Sequence, residues 1–117
     1  MYPLISKWTI LPGKEEEAIH ALKKLATQVE EGEPDTHAYL VHTPDFSQAN
    51  LPTPPAGEVV FFEIYKNQKA FEAHVNGPVF TGFVKQHGDL FLSSNGQPYV
   101  TVEMFHHQAG FIRTNAM

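Results

Sequence analysis

The stretch Phe61–Phe80, FFEIYKNQKAFEAHVNGPVF, changes its period twice. With the preceding Glu58-Val59-Val60, its first part alternates. Val59, Phe61, Glu63 and Tyr65 fall on one side and Val60, Phe62 and Ile64 on the other, which is the two-residue repeat of a strand. Asn67 then offers a side-chain oxygen as N-cap, and Ala70, Phe71 and His74 recur at helical spacing through Val75. Gly77-Pro78 breaks this helix and opens another, Pro78 to His87, because a first-turn residue needs no N–H bond. Both faces of the strand are apolar, so both call for cover. Yet Glu63 stands on one of them and His74 on the apolar side of the helix, although both residue types prefer water.

Outward from this stretch, Leu4 to Leu11 alternates as a first strand and is stopped by Pro12-Gly13. Lys14 to Glu31 carries Ala18, Ile19, Leu22, Leu25, Ala26 and Val29 on one helical face, with Glu15, Glu16 and Glu17 suited to the positive end of the helix dipole. Gly32 and Pro34 end it. Thr36 to Thr43 reads as a second strand, with His37, Tyr39 and Val41 opposite Ala38, Leu40 and His42. PDFSQANLPTPPAG, Pro44–Gly57, holds four prolines and is a loop. It is long for a link between strands and carries apolar Phe46 and Leu51, so it is expected to pack on a partner subunit or over a pocket mouth. Tyr99 to Phe105 is the fourth strand. The order β-α-β-β-α-β, with its second helix in two pieces, is the ferredoxin-like α+β arrangement, an antiparallel sheet with helices on one face. A second copy of the sheet is the simplest cover for the other face, so a homodimer is expected. The domain spans 1–105, and 106–117 is an irregular tail.

Composition narrows the function. The 117 residues suit one domain, and nine Phe, four Tyr and one Trp exceed what one small core needs, which points to an interface or an apolar ligand pocket. Net charge is −5 and the eight Lys and Arg form no basic stripe, which excludes nucleic acid and anionic membrane as expected partners. With no cysteine there is no disulfide, thiolate nucleophile or thiolate metal site. No leader pattern opens the sequence and no apolar run has membrane-spanning length, so a soluble cytoplasmic protein is expected.

EIYKNQKAFEAHVNGPVFTGF resembles the signature of the antibiotic biosynthesis monooxygenase family of dimeric α/β barrels. In that family a strand ending Glu-x-aromatic precedes a helix bearing a hydrophobe and a His, then a small or Pro residue and an apolar-aromatic pair. Glu63, Tyr65, Phe71, His74, Pro78 and Phe80 stand at those positions. LPGKEEEAIHAL and EGEPDTHAYLVH resemble its first helix and second strand. Members include cofactor-free quinol and anthrone oxygenases, haem-degrading enzymes and a phospho-sugar isomerase. Haem degraders carry an Asn on strand one, a Trp on the short helix and a ligating His on the next. Ser6, His74 and Val84 stand there instead, so haem degradation is set aside. Anthrone oxidisers place an Asn where this chain has Phe61, which argues against polyketide oxidation.

The resemblance makes His74 a cavity residue. There it could act as general base, or be a structural His bonded to a backbone carbonyl or to Glu63. Glu63 could act as base, hold His74 in one tautomer, or pair with Lys7 as a structural ion pair. Tyr65 could donate to a substrate oxygen or cap the core. These three form the expected catalytic set. Ser6, Trp8, Phe61, Phe71, Phe83 and Val84 form the expected substrate-binding wall, although a Trp on such a strand is more often core or interface than a stacking platform. His87 shares a face with Phe80, Phe83 and Val84 or simply finishes its helix, since Gly88 follows it. His106-His107 would point to opposite faces of a strand, and no His-x-His or His-Glu-x-x-His occurs, so no metal is expected. No Gly-rich phosphate loop or nucleophile elbow is present, and no cofactor is expected.

Three readings follow. The first is a cofactor-independent monooxygenase that oxidises a small electron-rich aromatic, a quinol or polyphenol, with O2. The second is an isomerase on a small oxygenated metabolite. The third is a non-catalytic dimeric barrel that binds a small molecule.

Overall fold

The alternation and capping signals above translate into elements with few shifts. A computed structural model describes residues 1–95 and 97–113. Along the chain run β1 (Tyr2–Thr9), α1 (Glu15–Gly32), β2 (Thr36–His42), β3 (Glu58–Tyr65), α2 (Gln68–Asn76) and α3 (Pro78–His87). A 3-10 turn at Gly88–Leu90 leads to a short hairpin, β4 (Ser93–Ser94) and β5 (Gln97–Pro98), and then to β6 (Thr101–Met104). The strands β2-β3-β1-β6 form one antiparallel sheet in that order, the ferredoxin-like arrangement expected from the sequence.

The fourth sheet strand is shorter than the expected Tyr99–Phe105. The Tyr99 N–H donates to the Leu92 carbonyl at 2.9 Å and so closes the hairpin instead of extending the sheet. Phe105 donates to the Pro3 carbonyl at 3.2 Å, past the end of the strand. The Pro44–Gly57 loop contains no strand or helix, and Phe46 and Leu51 are both exposed in the single chain. Residues 106–113 are exposed and irregular, and 114–117 of the expected tail lie outside the described residues.

Helices cover one face of the sheet. Ala18, Ala21, Leu22, Leu25 and Val29 of α1 and Phe83 of α3 are buried, as are Trp8, Val59 and Phe61 of the sheet. These residues share one core, with Trp8 at the centre of an aromatic group whose nearest ring is that of Phe91, at 4.9 Å. Asn67 caps α2 as its sequence predicts, its Oδ1 accepting from the Ala70 N–H at 2.9 Å. Gly77 separates α2 from α3 because no side chain fits there: a Cβ would lie 2.6 Å from the Ala73 carbonyl oxygen. The tight corner at Gly77 turns α3 back across the core, so α2 carries His74 at the edge of the helical layer.

The opposite face carries Ile5 beside Phe62, Phe62 beside Leu40, and Ile64 beside Ala38 in register. Phe62 is 45% exposed, and Ile5, Leu40 and Ile64 are half-buried. Among the described residues no helix is long and apolar enough to cross a membrane.

Candidate functional site

Between the inner face of the sheet and α2–α3 lies a cavity of about 250 Å³. Leu4, Trp8, Phe71, Val75, Phe80 and Val84 give it apolar walls, and Val100 and Val102 flank its C-terminal side. Its polar lining is Ser6, Tyr39, Glu63, His74 and Gln97. The alternation of three adjacent strands aims Ser6, Glu63 and Tyr39 into the same space, because Leu4 and Tyr39 both pair with Glu63 in register.

Glu63 is 5% exposed, and each carboxylate oxygen accepts one short hydrogen bond. The Ser6 hydroxyl donates to Oε2 at 2.6 Å and the Tyr65 hydroxyl to Oε1 at 2.6 Å. Each oxygen of the buried carboxyl group thus has a donor, which offsets the cost of taking it out of water. Desolvation, followed by the Glu63 charge and the hydrogen bond to it, raises the Tyr65 phenol far above its ordinary value. Tyr39 is raised well above its ordinary value too, first by desolvation and then by the charges of Glu63 and Glu33. Both phenols therefore remain donors throughout the neutral range.

His74 is 3% exposed and belongs to the last turn of α2. Its Nδ1 lies 2.7 Å from Oε1 of Glu33, which also accepts from the Thr36 hydroxyl at 3.0 Å. The Tyr39, Tyr65 and Phe80 rings surround the imidazole at 5.3, 5.5 and 5.1 Å. Glu33 follows directly on α1, and its backbone N–H bonds the Val29 carbonyl at 2.9 Å.

The expected residues thus fall into two groups. Ser6, Trp8, Glu63, Phe71, His74 and Val84 line the cavity, whereas Phe61, Phe83 and Tyr65 do not. Phe61 and Phe83 belong to the packed core, and the Tyr65 hydroxyl is turned to Glu63. His74 bonds neither Glu63 nor a backbone carbonyl but Glu33. Lys7 pairs not with Glu63 but with Glu103, across the outer face at 3.3 Å. His87 packs on Phe83 at 5.3 Å, away from the cavity, and His106 and His107 are exposed.

Tyr39 and Glu33, the two residues beside His74 that matter most to its chemistry, were not among the expected site residues. Tyr39 was legible only as one member of an alternating strand. Glu33 did carry a signal: it is an acid at the negative end of a helix, with no basic residue in that last turn, and such an acid needs a donor from elsewhere.

The family model for antibiotic biosynthesis monooxygenase matches residues 1–86. The chain belongs to that family. Among solved structures, Rv0793 from Mycobacterium tuberculosis is 21% identical, with a TM-score of 0.67 over 93% of this chain and 98% of that one. A crystal structure of an antibiotic biosynthesis monooxygenase is 19% identical, with a TM-score of 0.71 over 93% and 100%. PA3566 from Pseudomonas aeruginosa is 20% identical, with a TM-score of 0.69 over 92% and 94%. At these identities the likeness establishes the fold. No curated protein matches the chain.

Proposed function

We propose that this antibiotic biosynthesis monooxygenase family member is a cofactor-independent oxygenase that oxidises a small quinol or polyphenol with O2. The observation that carries the reading is a buried imidazole, bonded to a carboxylate on one side, in the wall of a small apolar cavity. His74 takes a phenolic proton from the substrate. The resulting electron-rich anion reduces O2 inside a space with little water, and the chemistry asks the protein only for a base, orientation and dryness. In balance, a hydroquinone and O2 give a hydroxyquinone and water: one oxygen atom enters the ring and the other leaves as water.

Tyr39 takes the orienting role expected of Tyr65. It lines the cavity beside His74, its phenol stays protonated, and no hydrogen bond from its hydroxyl is found among the described residues. The Ser6–Glu63–Tyr65 network puts negative charge near the reacting ring and favours a substrate that presents hydroxyl groups. Phe71, Phe80 and Trp8 give flat apolar contact to such a ring.

The working unit in this reading is a homodimer joined through the outer sheet face. Ile5, Leu40, Phe62 and Ile64 form the apolar centre of that face, with the Lys7–Glu103 pair at its edge. The Pro44–Gly57 loop lines no part of the cavity, which leaves the partner subunit as the cover for Phe46 and Leu51.

Oxygen uptake by the purified protein with a panel of quinols tests the reaction. Turnover that consumes O2 and needs no added flavin or metal is the expected result. Isomerised product without O2 uptake, or ligand binding without turnover, would replace this reading with one of the other two.

A further inference from the structure

The imidazole of His74 separates two spaces. One is the cavity described above, and the other is a cleft of about 280 Å³ on the far side, bordered by Glu33, Thr36, Ala70, Ala73 and Gly77. Glu33 borders only the cleft, and its side chain is 17% exposed. Its one hydrogen bond to a cavity residue is the one to His74, and it acts on Tyr39 only through its charge.

We infer that Glu33 is a positioning residue that holds His74 in the Nδ1–H tautomer, so that Nε2 is the nitrogen presented unprotonated to the cavity. The inference rests on the proposed use of His74 as base. A carboxylate can only accept, so the 2.7 Å contact requires a proton on Nδ1. A neutral imidazole carries one proton, which leaves Nε2 as the acceptor. Among the described residues no fully buried side-chain nitrogen or oxygen lacks a hydrogen-bond partner. Nε2 has no hydrogen-bond partner among those residues, so it lies at an accessible surface. With Nδ1 taken up on the cleft side, that surface is the cavity's.

Three further details fit this assignment. Thr36 donates to the same Glu33 oxygen and so fixes the carboxylate in place. The Gly32-Glu33-Pro34 sequence holds the carboxylate on a short, stiff segment directly after α1. When His74 accepts a proton at Nε2, the imidazolium forms against a carboxylate already in contact with it, and no rearrangement is needed. The Tyr39, Tyr65 and Phe80 rings also pack around His74, both phenols held neutral, while Glu63 shares the cavity with it and Asp35 the cleft.

The test reads the tautomer directly. In full-length protein labelled with 15N-histidine, the wild-type His74 ring, read at a pH where it carries a single proton, is expected to show a protonated Nδ1 and a bare Nε2. In Glu33→Ala the proton should move to Nε2, while Thr36→Val should keep it on Nδ1. With a quinol that the wild type oxidises, Glu33→Ala should lower kcat roughly 10- to 100-fold, by analogy with the loss of a carboxylate behind a metal-bound imidazole, while KM stays within about twofold. A wild-type ring protonated at Nε2 would overturn the inference without any variant. So would a Glu33→Ala protein with an unchanged melting temperature that keeps the wild-type tautomer. The tautomer measurement needs no turnover, so an absence of quinol oxidation would sink the proposed reaction and leave this inference to stand or fall separately.

Discussion

Phe62 and Glu63 are neighbours on β3, and their surroundings are the reverse of what their chemistry prefers. Glu63 faces inward at 5% exposure, and Phe62 faces outward at 45%. The inner face of the strand solves its problem within the chain: Ser6 and Tyr65 occupy both oxygens of the carboxylate, and helices cover Val59 and Phe61. The outer face has no such solution among the described residues, where Phe62 stays exposed and Val60 and Ile64 are only half-buried. Burial of a charge can be made tolerable by two hydroxyl groups, whereas a broad apolar surface can be relieved only by another surface. In the function proposed above, the inner face serves ligand chemistry and the outer one self-association.

The contrast breaks most sharply at His74. His74→Ala should reduce quinol turnover by about 10² or more, the usual scale for loss of a general base. The fold should survive, since the side chain is cavity wall and no other core residue depends on its bond. Unchanged turnover in a folded variant would remove His74 from the chemistry and make the inner face as structural as the outer. Circular dichroism on the same sample decides whether a loss of rate means a loss of fold.

A charge on the outer face is the matching experiment. Phe62→Asp would carry an unpaired carboxylate into the sheet-to-sheet contact, which should weaken the dimer by at least about 10² in dissociation constant. Sedimentation across a concentration series reads this directly, and the wild type should remain dimeric at micromolar concentration. A wild-type monomer, or a Phe62→Asp dimer of undiminished affinity, would show that the outer face is not the interface.

Within the inner face, Ser6→Ala removes one of the two donors to Glu63 and leaves Oε2 buried without a partner. The loss should be about 2 kcal/mol in denaturant unfolding, at the upper end for a neutral donor because the acceptor is charged. A loss under about 0.5 kcal/mol would mean that water already serves this oxygen.

Much of this was readable in the sequence, because the fold rests on short-range pattern. The alternation of Val59 to Tyr65, the Asn67 cap and the Gly77-Pro78 break depend on neighbours in the chain, and each appears where its residues predict. The fourth sheet strand was less legible. β6 lies at the sheet edge with every residue exposed, so burial does little to fix its ends, and hairpin bonding takes Tyr99 away from it. The site was legible in residue type but not in pairing. His74 and Glu63 could be picked out as ionisable groups on apolar faces. That His74 bonds Glu33, 41 positions away, follows only from the tertiary meeting of the last turn of α2 with the C-cap of α1. Tyr65 shares a strand face with Glu63, and sharing a face made it look like cavity wall. Bonding to Glu63 turned its hydroxyl aside and left the wall to Tyr39 on the next strand.

The smallest expected effect lies at high pH and concerns the second donor to Glu63. Tyr65 is fully buried, and desolvation and the Glu63 charge raise its phenol far above the ordinary value of 10.0. In the unfolded chain the same phenol ionises near 10. The folded state therefore holds this proton more tightly, so the stability it contributes is complete below pH 10 and falls as pH rises beyond it. For one such group the loss is about 0.8 kcal/mol at about pH 10.5, and it then steepens towards about 1.4 kcal/mol per pH unit. Other tyrosines titrate in the same range, so the measurement is a difference: urea unfolding of wild type and of Tyr65→Phe at about pH 9 and about pH 10.5. Tyr65→Phe is less stable at the lower pH, because Glu63 Oε1 has lost its donor. That gap should narrow by about 0.8 kcal/mol at the higher pH, where only the wild type bears the cost of keeping a phenol protonated at this position. A gap that stays constant, or widens, would mean that Tyr65 does not sit sealed against the Glu63 carboxylate. The inner face of β3 would then be open to water, and the contrast with the outer face would rest on Ser6 alone.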